Sequence, residues 1–187
     1  MSSPPGIDPP SPLGLITHSG RILTAKLLVG LPVGGITHCA LGDGDGTFVD
    51  PLAPPAPSVD QVALVHERVR KRFWKRTFLV EDPAGGLRVN GVAYSESPKP
   101  TPIIGVFFRF EEAEANGLTV KEYGFFGGGV EYVSGWTNDL AREGLHHPDT
   151  NPDGQVAVLG DLYEVKNIPD FHKTSDTRLE LVGVIKL

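Results

Sequence analysis

The chain has 187 residues, 40% of them apolar, with 23 glycines, 17 prolines and a formal net charge of −6. That length supports one domain with a real core and many turns, and the acidic balance excludes a general nucleic-acid binder. Its single cysteine, Cys39, excludes an internal disulfide framework, and no stretch approaches the ~20 apolar residues of a membrane span.

Residues 1–13 carry Pro4, Pro5, Pro9, Pro10 and Pro12. Proline fixes φ and lacks a donor, so this segment reads as extended polyproline: a disordered tail, or an arm that lies along a neighbouring subunit. The start MSSPPGIDPPSP lacks the basic and apolar regions of a secretory signal, so synthesis and retention in a cytoplasm are expected. THSGRILTAKLLVG (17–30) predicts a short helix capped by Thr17 or Ser19 and ended by Gly30. Ile22, Leu23, Ala25, Leu27 and Leu28 would form its buried side. ITHCALGDG predicts a strand running into a glycine turn, with Cys39 packed as a small hydrophobe. Residues 47–60 read as a proline-broken loop.

In VDQVALVHERVRKRFW (59–74), Val62, Val65, Val69 and Phe73 recur at three- and four-residue spacing, which predicts a helix over its first part. Alternation over 71–82 then predicts a strand. Residues 83–102 read as a polar insertion with a short hairpin at LRVNGVAY. IIGVFFRFEEA (103–113) is the clearest strand. Residues 118–126 and 130–138, joined across a run of glycines, predict a β-hairpin. Residues 139–160 read as loop, 161–171 as a short extended piece and 177–187 as a last alternating strand. The expected fold class is α+β: an antiparallel, sandwich-like sheet domain with one or two short helices and long extended loops. The expected organisation is an arm (1–13) and one domain (14–187) with insertions at 83–102 and 139–160.

LGDGDGTF (41–48) raises the question of chemistry. Counted from Asp43, an EF-hand would need glycine at position six and glutamate at position twelve, where Phe48 and Pro54 stand. A phosphate loop would need a lysine that is absent. A calcium site of another kind at Asp43 and Asp45 stays open beside the plainer reading of a sharp turn. The six histidines (His18, His38, His66, His146, His147 and His172) fall in no zinc spacing, and HHPD (146–149) reads as a polar loop. Glu111, Glu112 and Glu114 read as a solvated strand end. No nucleophile–base pair emerges, so no enzyme and no cofactor are expected. RVRKRFWKR (68–76) has six basic residues and two aromatics; removing those six charges from the net −6 leaves −12 on the remainder. A basic strip on an acidic body suits docking to acidic protein surfaces. Alternation places Glu122 beside Gly124 on one sheet face, so Glu122 or Glu67 is expected to pair with Arg68, Arg70 or Arg72.

The order of these segments resembles the N-terminal domain of phage tail-collar fibre proteins. The residues that carry the resemblance are Gly42, Asp43 and Gly44 in the GDG turn, then Leu64, Glu67 and Arg70 in an L-x-x-E helix with basic residues after it. They continue with Val120, Lys121, Glu122, Tyr123, Gly124, Phe125 and Phe126 in a strand leading into a hairpin. THSGRILTAKLL is similar to the family's opening helix. The likeness spans residues 15–138 and, loosely, the last strand. The relatives' trimeric shaft and receptor-binding tip have no counterpart in the 187 residues. The resemblance therefore implies an attachment part: a structural baseplate component of a virion tail or related contractile injection machine, assembled in the host cytoplasm, that connects baseplate to tail fibre. Its partners would be tail and baseplate proteins, the fibre, and copies of itself in a trimer or sixfold around the tail, with no nucleic acid and no membrane. Arg68, Arg72, Trp74, Lys75, Arg76 and Trp136 are the interface candidates. The alternative is a carbohydrate- or calcium-binding β-rich module that contacts a host surface, which exposed Trp74, Trp136 and Tyr132 near the turn would favour.

Overall fold

A computed structural model describes residues 14–132, 145–146 and 156–187. The expected arm, Trp136 and most of the 139–160 insertion lie outside the described residues. The described fold is mostly antiparallel sheet with one α-helix. In chain order its elements are β1 (Leu15–Ile16), α1 (His18–Leu28), β2 (Ile36–Gly42), β3 (Glu67–Arg72), β4 (Lys75–Glu81), β5 (Leu87–Val89), β6 (Val92–Ser97) and β7 (Ile103–Phe110). They continue with β8 (Thr119–Gly127), β9 (Glu131–Tyr132), β10 (Leu145–His146), β11 (Val156–Val158), β12 (Asp161–His172) and β13 (Leu179–Lys186). One sheet has the order β1-β12-β8-β2-β3-β10 and a second has β13-β7-β4-β6-β5; β9 and β11 form a small ribbon.

The two larger sheets share one core. Cys39, Leu41, Val69 and Phe125 from the first meet Val106, Phe108, Phe110 and Ile185 from the second. The Phe108 and Phe125 rings stack across the gap with centroids 5.1 Å apart. A smaller cluster of Ala40, Leu64, Phe126, Leu162 and Val165 lies apart from it. β2, paired on both edges, is accordingly buried at every position but the half-buried Thr37.

α1 forms where expected. The Thr17 side chain accepts the Gly20 N–H at 3.0 Å, and Gly30 turns the chain with φ 75°. The Thr17 hydroxyl also donates to the Leu162 carbonyl, which ties the helix start to β12. Its buried side differs from expectation. Only Gly20 and Leu23 are buried, whereas Ile22, Leu27 and Leu28 are exposed. The helix lies on β12 through its narrowest side: a Cβ on Gly20 would stand 2.3 Å from the Tyr163 carbonyl oxygen. That close approach leaves no room to bury a wide apolar stripe.

The helix expected over the first part of 59–74 is not formed. Residues 59–66 are turns and bends, and 67–72 is strand β3, paired to β2 with Leu41 opposite Val69. The valine spacing matched a helix, but Val69 between Arg68 and Arg70 also suits the alternation of a strand. The outer edge of β2 needed a partner, and the Val65 and His66 N–H groups are taken by the Glu122 carboxylate at 2.9 and 2.8 Å. The L-x-x-E segment is thus a loop running into a strand.

The hairpin expected over 118–138 also gives way. β8 is flanked by β2 and β12, so both its edges are occupied. Gly128 (φ 77°) and Gly129 (φ 129°) turn the chain away, and Glu131–Tyr132 pairs with Val156–Val158 instead. Residues 133–138 lie outside the described residues. Strands β4, β7, β12 and β13 fall where expected, with β12 extended to twelve residues, whereas β1 is unexpected and β10 and β11 lie within residues 139–160, expected as loop. The hairpin at LRVNGVAY is present as β5–β6, turned by Asn90 (φ 51°) and Gly91 (φ 80°).

Candidate functional site: a pinned scaffold and its exposed surface

The glycine–aspartate stretch is a single tight turn. Gly44–Gly46 forms one turn of 3₁₀ helix with Gly44 at φ 69°, Asp45 at φ 45° and Gly46 at φ 70°. Asp43 organises it. Its Oδ1 accepts the Asp45 N–H at 3.1 Å and lies 2.6 Å from His66 Nδ1, and its Oδ2 accepts from Arg68 at 3.3 Å. Both carboxylate oxygens are engaged with protein groups, so the turn is a clasp between β2 and β3. Among the described residues no group of three or more His, Cys, Asp or Glu side chains is placed to hold a metal.

The residues singled out in the sequence meet around this clasp. Gly42 lies opposite both Glu67 on β3 and Glu122 on β8. A Cβ on Gly42 would stand 2.5 Å from Glu122 Oε1 and from the His66 carbonyl oxygen, so the position must be glycine. Gly124 makes room in the same way for Leu64 and Leu162. Phe125 faces the other sheet. Glu122 is fully buried, and its desolvation pushes the carboxyl above the usual carboxylate range against the pull of the His66, Val65 and Gly44 N–H groups.

The expected pairing of a buried acid with a strip arginine is Glu67 with Arg70. Arg70 donates from Nε and Nη2 to the two Glu67 oxygens at 2.6 Å each, and from Nη1 to the Leu159 carbonyl at 2.7 Å. Its guanidinium lies 3.9 Å from the Phe126 ring centroid, and the residue is wholly buried. Lys71 likewise reaches a fully buried Glu114 at 2.6 Å. Glu114 is therefore no solvated strand end; its carboxylate also accepts the Glu111 N–H at 2.6 Å and closes the turn after β7. The basic strip is thus divided. Arg70 and Lys71 are spent inside the fold, Arg68 holds the clasp, and Lys75 pairs with Glu96 at 2.5 Å.

What remains outward is aromatic as much as basic. Trp74 is half exposed; the Arg109 guanidinium lies 4.2 Å from its centroid and the Phe107 ring meets it edge-on at 6.2 Å. Arg76 covers Phe73 at 4.4 Å. Arg109 and Phe107 were missed in the sequence, where their only signal is alternation along β7. Arg72 lies beside the Phe73 ring at 5.6 Å. The Tyr132 side chain and Trp136 lie outside what the structure describes.

Comparison with known proteins finds no family model and no curated protein sequence that matches this chain. Its own surface carries the remaining signal. Leu28 is 83% exposed, Val29 74% and Leu31 49%, beside exposed Ile22 and Leu27. Along the loop between β2 and β3, Val49 (88%), Leu52 (82%) and Val62 are exposed as well. That loop is held in place: the Pro51 carbonyl accepts the Asp170 N–H at 2.9 Å, the Pro55 carbonyl accepts from Asn167, and the Val59 carbonyl accepts the His18 N–H at 2.8 Å. Large apolar side chains on hydrogen-bonded backbone form a surface suited to a partner polypeptide.

Proposed function

We propose that this chain is a non-catalytic structural component of a phage tail baseplate or related contractile injection machine, an adaptor that connects baseplate to tail fibre through protein interfaces. The observation that carries the reading is the row of exposed apolar side chains on α1 and the turn after it, Leu27, Leu28, Val29 and Leu31. Interface cores are apolar, with tryptophan and arginine enriched among the residues that anchor them, and the Trp74–Arg109 pair supplies that second element. The sandwich-like arrangement expected from the pattern of strands is supported by the core that the two sheets share. The engaged oxygens of Asp43 weigh against the alternative, a calcium-binding module at the turn, and the half-exposed Trp74 is what favours its carbohydrate-binding form.

The test is to purify tail or injection particles from cells that make the protein and label them with an antibody against it. Label confined to the fibre-bearing end of the tail is the expected result. Protein found only free of particles would overturn the reading.

A further inference from the structure

The two larger sheets end on the strands β1, β10, β5 and β13. β1 and β10 have two residues each and β5 has three, whereas β13 has eight. Short edge strands, charges and prolines are the usual means of keeping a sheet edge from pairing with another chain. Across Leu181-Val182-Gly183-Val184-Ile185, β13 has neither charge nor proline. Two hydrogen bonds fix which way its backbone groups point. The Leu187 N–H donates to the Pro102 carbonyl at 2.9 Å, continuing the register that sets Lys186 opposite Ile103. The Phe107 carbonyl accepts the Trp74 N–H, so it points away from Val182, its partner on β13. Antiparallel pairing alternates, so Leu179, Leu181, Gly183 and Ile185 turn their N–H and C=O groups toward β7. Glu180, Val182, Val184 and Lys186 turn theirs outward, and among the described residues no strand pairs with them.

We propose that this edge joins two copies of the chain, β13 against β13, antiparallel about a two-fold axis at Gly183. The strand is self-complementary in that register. Val182 falls opposite Val184 of the second copy and Glu180 opposite its Lys186, so the outward backbone groups pair with one another throughout. On the core side Leu181 falls opposite Ile185. Gly183 faces itself at the axis, in the pair where Cα atoms come closest, and it has no side chain to hold the strands apart. Charge selects the arrangement. Glu180 and Lys186 are half exposed beyond their bonds to Arg109 and Glu81, so each can take a second partner. A slip that brings Val182 opposite Val182 would set Arg178 against Lys186, and a parallel pair would set Glu180 beside Glu180; like charges disfavour both. A single strand pair is a small interface, so the dimer belongs to concentrated solution, and its two-fold symmetry closes it at two copies. This inference goes beyond the assembly reading and does not rest on it.

The test combines amide hydrogen exchange with sedimentation equilibrium on the full chain. In dilute solution the amides of Leu181, Gly183 and Ile185 should exchange slowly and those of Val182, Val184 and Lys186 quickly. As concentration rises and the mass approaches that of a dimer, the second set should slow as well. Val182→Pro removes an outward N–H that the single chain does not use in its ladder, and should abolish the dimer while keeping the fold. Glu180→Lys sets a lysine against Lys186 of the second copy and should weaken the dimer about tenfold; adding Lys186→Glu should restore it. Should the proline variant fail to fold, this charge swap decides. A chain that stays monomeric at every concentration would overturn the proposal, as would a folded Val182→Pro chain that still dimerises. So would a dimer whose Val182 and Val184 amides remain in fast exchange, because another surface would then hold it. Slow exchange of those amides at every dilution would overturn it too, since the chain's own residues would then cover the edge.

Discussion

At the residue scale the fold rests on charges taken out of water in pairs. Arg70 and Glu67 make two hydrogen bonds to each other, and the third contact of Arg70, with the Leu159 carbonyl, ties it to a further strand pair. Removing one partner leaves a buried charge with nothing opposite, so Arg70→Met alone should cost about 3–5 kcal/mol. A double replacement, Glu67→Leu with Arg70→Met, should be markedly less harmful than the single change, read by urea denaturation as a double-mutant cycle. Glu164 makes a different prediction. Burial raises its carboxyl above the ordinary 4.5, with Lys166 and the Gly14 N–H pulling the other way. The folded chain then holds a proton that the unfolded chain has already released. Stability from this group therefore falls as pH rises from 4.5 through the folded value, and levels off above it. Glu164→Gln should gain on the parent chain across that window, measured as the difference in denaturation midpoint at successive pH values. Cys39 is fully buried and its thiol is pushed well up by that burial, so labelling by a thiol reagent should track global unfolding.

At the element scale, local preference and tertiary contact sometimes oppose each other. Alanine is a better helix former than glycine by roughly 0.5–1 kcal/mol, so propensity alone favours Gly20→Ala. The added methyl would stand 2.3 Å from the Tyr163 carbonyl and 2.7 Å from its Cα, both backbone atoms. The helix would have to lift from β12, and overpacking of this kind costs about 1–3 kcal/mol. The expected outcome is a lower melting temperature despite the gain in propensity. Where propensity and fold agree, the sequence is directly legible. Asn90-Gly91 sits between two alternating runs, and both residues adopt the positive φ that a two-residue hairpin turn needs. β3 was not legible in the same way. The apolar residues at helical spacing became a loop and a strand because Glu122, 57 and 56 positions away in sequence, captures the Val65 and His66 N–H groups that the helical ladder would have used.

At the scale of the whole molecule, the core and the outward surface make separate demands. Leu28→Lys with Leu52→Lys should leave thermal stability within about 0.5 kcal/mol, because neither side chain is buried in the chain alone. The same pair should reduce binding of a hydrophobic dye and weaken any self-association seen by light scattering. A large loss of stability would instead place those residues in a core that the monomer itself needs.

Composition and alternation by themselves determined that this chain builds antiparallel sheet from β2, β4, β7 and β13, starts α1 at Thr17 or Ser19, and turns at Gly42–Gly46 and Asn90–Gly91. These are local matters, set by φ preferences and side-chain period within a few residues. Only the tertiary structure decided that 67–72 is a strand, that β8 lies between β2 and β12, and that most of the basic strip is engaged within the fold. Pairing partners and buried charges depend on residues far apart in sequence, and a side chain's neighbours across a sheet leave no periodic trace in its own segment.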